Sequence, residues 1–255
     1  MSKGGVYDSL VDIAQKRGAG FFILVDPDKT DENNFLATCE QAEECGVDAV
    51  LVGTSFMLNS NFHASVKKIK SATSLPVIIF PGSFAQITPD ADAILFSSLI
   101  SGRNPSFLID EQVKGAPLVK KYGLEPIPTG YMLIESGPLT SVQYISGSMP
   151  IPRTKDDIAC AHAMAAQFLG MKMVYLEAGS GAEQPVPVEM VRAVSACVEI
   201  PIIVGGGLRT PDDCAVRVEA GASFIVVGNH LESGQSRSLL RELTAATHTR
   251  ESIEV

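Results

Sequence analysis

Glu177 directly follows the apolar run Met173–Leu176, and AGSGA follows it at once. A carboxylate at the end of a strand can accept a proton from a substrate hydroxyl. It can equally orient a hydroxyl by hydrogen bonding, or form a structural ion pair. The small residues beside it let backbone N–H groups approach an anion closely. Two later loops share this character, VGGG at 204–207 and VGN at 227–229. Each leaves an apolar run and precedes a helix-like segment, as YLEAGSGA at 175–182 does. Glycine-rich loops after successive strands are how α/β barrels hold phosphate, with the loops after strands seven and eight as the common site. The pattern points to an enzyme acting on a phosphorylated small molecule, with Gly205, Gly206, Gly207, Gly228 and Asn229 in the anion loops and Glu177 as candidate base.

Tyr175 lies two positions before Glu177 and shares its side of a strand. It either contacts the phosphorylated substrate or packs inside the barrel. Asp26 ends the first apolar run and Ser55 follows the second. One carboxylate, one hydroxyl and substrate phosphate oxygens suit Mg²⁺, a hard cation that often takes few protein ligands; Asp28 competes for that role or caps the following turn. Arg209 and Lys29 are the nearest cations to these loops. His63, His162 and His248 fall in helical segments and read as surface or packing residues, whereas His230 adjoins Asn229. No strand ends in a lysine placed for Schiff-base chemistry, which weakens an aldolase reading.

The elements that must position these residues alternate along the chain. Strand-like runs at 20–25, 48–52, 76–80, 93–97, 127–133, 172–176, 200–204 and 223–227 are separated by helical segments. Eight such units predict a closed parallel (β/α)₈ barrel, a TIM barrel, and one domain over 1–255. Polar and glycine residues gather at the C-terminal strand ends, whereas Pro76, Lys172 and Pro201 mark the opposite ends. Only residues 82–92 separate the third and fourth strands, too few for an ordinary crossover helix. The third helix should be missing or replaced by an extended segment. Residues 129–152, rich in Gly, Ser and Pro, leave the fifth strand on the side of the site and should cover it. Helix starts are expected at Thr154, capping with Asp157, and at Thr210 followed by Pro211, Asp212 and Asp213.

The chain has 255 residues, 45% of them hydrophobic, and a net charge of −9. That charge argues against nucleic acid as a partner. It also requires that anions be held by backbone N–H groups, helix N-termini and a divalent cation. Cys39, Cys45, Cys160, Cys197 and Cys214 lack metal-type spacing and read mostly as buried thiols. No apolar run reaches the roughly 20 residues that span a bilayer, and no basic-then-apolar leader opens the chain, so a cytoplasmic protein is expected.

The motifs VDPDK (25–29), VGTS (52–55), TGYMLIESG (129–137), MPIPRTKDDIACAHA (149–163), YLEAGSGA, IIVGGGLRTPDD (202–213) and VVGN occur in order over most of the chain. In these the chain resembles the geranylgeranylglyceryl phosphate synthase family, its larger archaeal-type branch more than the heptaprenyl-transferring bacterial one. The resemblance implies a Mg²⁺-dependent prenyltransferase on a modified barrel lacking a regular third helix. Such an enzyme joins sn-glycerol 1-phosphate to a long-chain prenyl diphosphate, and dimers or hexamers are expected. It further implies that Asp26 and Ser55 are magnesium positions and that Glu177 is the base. The glycerol phosphate site would comprise Tyr175, Leu176, Glu177, Ala178, Gly179, Ser180, Gly181, Gly206, Gly207, Gly228 and Asn229. Some relatives carry a lysine two residues before the first aspartate, where this chain has Leu24, so Arg209 or backbone donors would have to compensate. A prenyl tail would run in an apolar groove beside the third strand, within 82–108. Two other readings use the same loops: a phosphosugar isomerase or lyase, which needs a second acid or base opposite Glu177, and a barrel that binds a phosphometabolite without turning it over.

Overall fold

A computed structural model of the chain describes residues 4–29, 31–58, 61–228 and 237–250. Its strands are β1 (Gly20–Val25), β2 (Ala49–Val52), β3 (Val77–Ile79), β4 (Ala93–Leu99), β5 (Glu125–Leu133), β6 (Met173–Glu177), β7 (Ile202–Gly205) and β8 (Phe224–Val227). All pair in parallel and in sequence order, and β8 returns to β1 to close the barrel. Most are short aliphatic runs because both faces are covered; β5, EPIPTGYML, is the longest and most mixed.

Alternate residues part into two cores, as the pleat demands. Phe22, Leu51, Ile78, Leu95, Ile127 and Ile203 fill the barrel. Ile23, Val50, Val77, Val174, Ile202 and Ile225 pack outward under the helices. Phe22 stacks on Phe224 across the β1–β8 seam, with ring centroids 4.9 Å apart. The inward parity continues beyond the ladders. It runs Phe22, Leu24, Asp26 on β1, then Leu51, Gly53, Ser55 on β2 and Met173, Tyr175, Glu177 on β6, so the polar member of each set reaches the C-terminal mouth.

The outer layer comprises α1 (Val6–Arg17), α2 (Glu32–Ala42), α3 (Phe62–Ala72), α4 (Glu111–Tyr122), α5 (Ser141–Ser146), α6 (Asp156–Phe168), α7 (Val188–Cys197), α8 (Pro211–Glu219) and α9 (Arg237–Thr247). Helix α1 precedes β1. Its Leu10 belongs to the barrel's inner cluster, and its first N–H groups, on Val6 and Tyr7, donate to the Glu125 carboxylate. Between β3 and β4 there is no α-helix, as the short spacing predicts, but a single 3₁₀ turn, Phe84–Gln86. A satellite cluster of Ile79, Ile87, Ile94, Val119 and Leu124 packs in that sector, and its Ile87 and Ile94 border the cavity.

The segment after β5 does fold over the mouth. Ile134 bridges to Ile151, and α5, capped by Thr140 on the N–H of Gln143, lies between them in sequence. Thr210 caps α8 by accepting from the Asp213 N–H at 3.1 Å, while Asp213 accepts from the Thr210 N–H at 3.0 Å. The expected Thr154 cap is not formed. The Lys155 N–H donates to the Pro152 carbonyl at 3.0 Å, and that turn delays the helix to Asp156 with Lys155 at its N-cap. His248 falls one residue beyond α9, where it packs on Asp48 at 2.9 Å.

Candidate active site

The strand ends surround one cavity of about 290 Å³. Asp26, Ser55, Tyr175, Glu177, Gly179, Ser180, Gly181, Gly206, Gly207, Arg209 and Gly228 all line it. The residues expected to act together are therefore brought together, although they come from β1, β2, β6, β7 and β8. Leu176 and Ala178, also expected at the glycerol phosphate site, are buried in the outer core instead. The pleat explains this, since they have the opposite parity to Tyr175 and Glu177 and only their backbones can border the cavity. Asn229 and His230 lie outside the described residues.

Glu177 is the last residue of β6 rather than the first of the loop. It is 6% exposed, and its Oε1 accepts from the Gly179 N–H at 2.6 Å. Burial pushes its carboxyl up to about 7, against the opposing pull of the Gly179 N–H and the Tyr175 hydroxyl. A carboxyl at that value changes protonation state in the neutral range, where a general base works best.

The floor beneath it is aromatic. Phe80 stacks on Tyr175 at 5.1 Å, and Tyr131 meets Tyr175 edge-on at 5.6 Å. Both phenols are held well above their usual range, by burial first and then by the charge of Glu177. The Tyr175 hydroxyl sits close enough to feel the carboxylate, yet among the described residues it has no hydrogen-bond partner of good geometry. An orphaned buried hydroxyl costs about 1–3 kcal/mol unless something else satisfies it. A bound hydroxyl or phosphate oxygen would do so.

The anion loop is built from glycine out of necessity. At Gly206 φ is +84°, and a Cβ there would lie 2.4 Å from Glu177 Oε1. Any side chain would displace the carboxylate. Among the described residues, the N–H groups of Gly181, Gly206 and Gly207 donate to no protein acceptor, which leaves three donors open at the mouth. Arg209 borders the same loop and braces it through the Ala182 carbonyl at 2.8 Å.

At the β1 end, Asp26 is 4% exposed. Its Oδ2 pairs with Lys29 Nζ at 3.1 Å and its Oδ1 accepts from the Asp28 N–H at 3.1 Å. Asp28 turns outward to accept from the Leu58 N–H at 2.6 Å, so it acts as a loop brace. Among the described residues no three His, Cys, Asp or Glu side chains gather as a metal cluster.

An apolar part of the lining runs from Phe80 through Phe84, Ile87, Ile94, Phe96 and Phe107 toward the sector that lacks a helix, with Ser83, Ser97, Glu111 and Gln112 among it. This is where a groove was expected. Tyr131, Phe80, Gln86 and Gln112 were not picked out from the sequence. Tyr131 was accessible, since its inward parity on β5 matches that of Tyr175 on β6; Gln86 carried no signal in a short loop.

Comparison with known proteins accords with this geometry. The PcrB family model matches residues 11–247. A geranylgeranylglyceryl phosphate synthase from Chitinophaga pinensis is 43% identical over 243 residues, covering 95% of this chain and 96% of that one. One from Thermococcus gammatolerans is 47% identical over 229 residues, covering 88% and 90%. The crystal structure of (S)-3-O-geranylgeranylglyceryl phosphate synthase from Thermoplasma acidophilum, in complex with its substrate sn-glycerol-1-phosphate, superposes with a TM-score of 0.90 at 33% identity, covering 96% of this chain and 99% of that one.

Proposed function

The chain belongs to the PcrB family, and on that premise we propose that it joins sn-glycerol 1-phosphate to geranylgeranyl diphosphate, forming 3-O-geranylgeranyl-sn-glyceryl 1-phosphate and diphosphate. The observation that carries the reading is Glu177. It is a buried carboxylate raised to about 7, held between a loop of open N–H donors and an aromatic floor.

In this reading the glycerol phosphate rests its phosphate on the N–H groups of Gly181, Gly206 and Gly207. The C3 hydroxyl then reaches Glu177, and the Tyr175 hydroxyl finds the partner it lacks. As the C3 oxygen bonds to C1 of the prenyl chain, its proton passes to the Glu177 carboxylate. The bond from C1 to the diphosphate oxygen breaks, and its electron pair leaves with the diphosphate. The allylic carbon tolerates partial positive charge, and the faces of Phe80, Tyr131 and Tyr175 suit such a centre. The apolar lining toward Phe107 receives the tail. An isomerase would need a second acid or base facing Glu177, and the neighbouring phenols are driven further from that role by burial.

Asp26 and Ser55 fit a magnesium ion. Both are hard oxygen donors lining one cavity, and Mg²⁺ commonly takes only one or two protein ligands beside substrate phosphate oxygens and water. Bound there, the ion would neutralise the leaving diphosphate. Lys29, already paired with Asp26, would share that task.

The test is transfer of radiolabelled glycerol 1-phosphate into organic-extractable product with Mg²⁺, beside Glu177→Gln and Asp26→Asn. Product that falls sharply in both variants supports the reading. No product with any prenyl diphosphate from C10 to C35, despite tight phosphate binding, overturns it.

A further inference from the structure

Gln86 stands out in the segment that replaces the missing helix. It is the last residue of the 3₁₀ turn Phe84–Gln86, and a side chain in such a short surface connection normally meets water. Here it is 1% exposed. Its amide engages the backbone of the loop after β2 and of the loop that directly follows β3, where its own connection begins. Oε1 accepts from the Gly82 N–H at 3.0 Å and the Thr54 N–H at 3.4 Å, and Nε2 donates to the Thr54 carbonyl at 2.8 Å. Two backbone donors and one backbone acceptor also fix the orientation of the amide, because a flipped group would set its NH₂ against N–H donors.

Those loops are the mouths of β2 and β3, and their backbones touch. A Cβ on Gly53 would lie 1.7 Å from the Phe80 carbonyl oxygen. In a regular barrel a helix packed behind β3 would support this pair of strand ends. Here one buried amide clamps them together. Thr54, held by two of the three bonds, directly precedes Ser55, which lines the cavity with Asp26.

We propose that Gln86 is a positioning residue: its clamp on Thr54 and Gly82 holds Ser55 at the cavity so that the diphosphate end of the site is formed before substrate binds. This rests on the reading that Asp26 and Ser55 take a magnesium–diphosphate group. The glycerol phosphate loops lie on β6, β7 and β8, away from the clamp, so the two halves of the site should respond differently to its loss.

The experiment is isothermal titration of inorganic diphosphate with Mg²⁺, and separately of sn-glycerol 1-phosphate, into the full-length protein, Gln86→Met and Gln86→Glu. Methionine keeps the shape and removes all three bonds. A protonated glutamic acid restores one acceptor oxygen and one donor. The expected result for Gln86→Met is at least tenfold weaker magnesium–diphosphate binding with glycerol phosphate binding within twofold of the parent. The KM for prenyl diphosphate should rise more than kcat falls. For Gln86→Glu, affinity relative to the parent at the same pH should recover as pH falls. If Gln86→Met does not fold, that relative recovery in Gln86→Glu decides. Equal weakening of both ligands, or unchanged diphosphate binding with only a lower Tm, overturns the proposal. A parent protein that binds no magnesium–diphosphate overturns the prenyltransferase reading as well; a parent that binds it and variants that match it sink the clamp alone.

Discussion

Glu177 and its immediate neighbours set the chemistry, and two predictions belong to them. Because the carboxyl rests at about 7, the rate at saturating substrates should climb with pH through the neutral range and level off above it. Glu177→Gln should abolish that limb, lower kcat by about 10²- to 10⁴-fold and leave glycerol phosphate binding nearly unchanged. The same raised value acts on stability. In the folded, ligand-free protein Glu177 keeps its proton at pH values where the unfolded chain, with the ordinary value of 4.5, has lost it. Its contribution is therefore full below about 4.5 and declines as pH rises toward 7. The loss levels off above that, at a total on the order of 3 kcal/mol. Denaturant unfolding across this range should show Glu177→Gln gaining on the parent protein up to pH 7 and holding its lead beyond. A constant difference would mean that the carboxyl is not raised. At this scale the sequence was legible for Glu177, Tyr175 and the glycines, since each ends an apolar run. Tyr131 could have been added by carrying the inward parity of Tyr175 across to β5, but Gln86 was not legible, because its partner Thr54 is remote in sequence.

Helices and loops decide how firmly those residues are held. The α8 capping box follows directly on the glycine loop of β7, so Thr210→Ala removes the acceptor for the Asp213 N–H and one of the three donors to the Asp213 carboxylate, leaving the N–H groups of residues 209 and 210. The expected cost is about 1 kcal/mol, seen as a lower Tm, with transfer kinetics little altered if the loop glycines keep their place. Thr210-Pro211-Asp212-Asp213 was readable as a helix start because its signals are local. Thr154 was misread, since the turn from Pro152 to Lys155 competes for the same residues. Gln112 shows another limit: its Oε1 is buried without a partner among the described residues, and nothing at its place in α4 marks that.

For the whole molecule, the missing helix is the decisive feature, because it leaves the cavity's apolar arm open between α4 and the 3₁₀ turn. Gly115 on α4 sits against that turn, and a Cβ there would meet Ile87 Cδ1 at 2.8 Å. Gly115→Leu should therefore fill the arm. The KM for geranylgeranyl diphosphate should rise at least tenfold while a C10 diphosphate is still used; equal loss with both would place the tail elsewhere. Assembly is a further prediction. A homo-oligomer follows from the family reading, and Met149, Phe168 and Leu169, each more than 70% exposed, are large apolar side chains that a second copy would cover. Light scattering should give at least twice the chain mass of 27.1 kDa. Among the described residues no helix is long and apolar enough to cross a membrane.

The sequence by itself determined the count, order and polarity of the strands, the absence of a third helix, and the loops that end at the site. All of these follow from local signals: apolar period, glycine at strand ends, and the length of a connection. Only the tertiary structure decided which residues meet. Closure of β8 onto β1 brings residues from opposite ends of the chain to one mouth. The pleat then turns Glu177 and Tyr175 inward and Leu176 and Ala178 outward. The pKa of Glu177 is likewise a property of the closed barrel, because burial from all sides, rather than any neighbour in sequence, raises it to the value its chemistry needs.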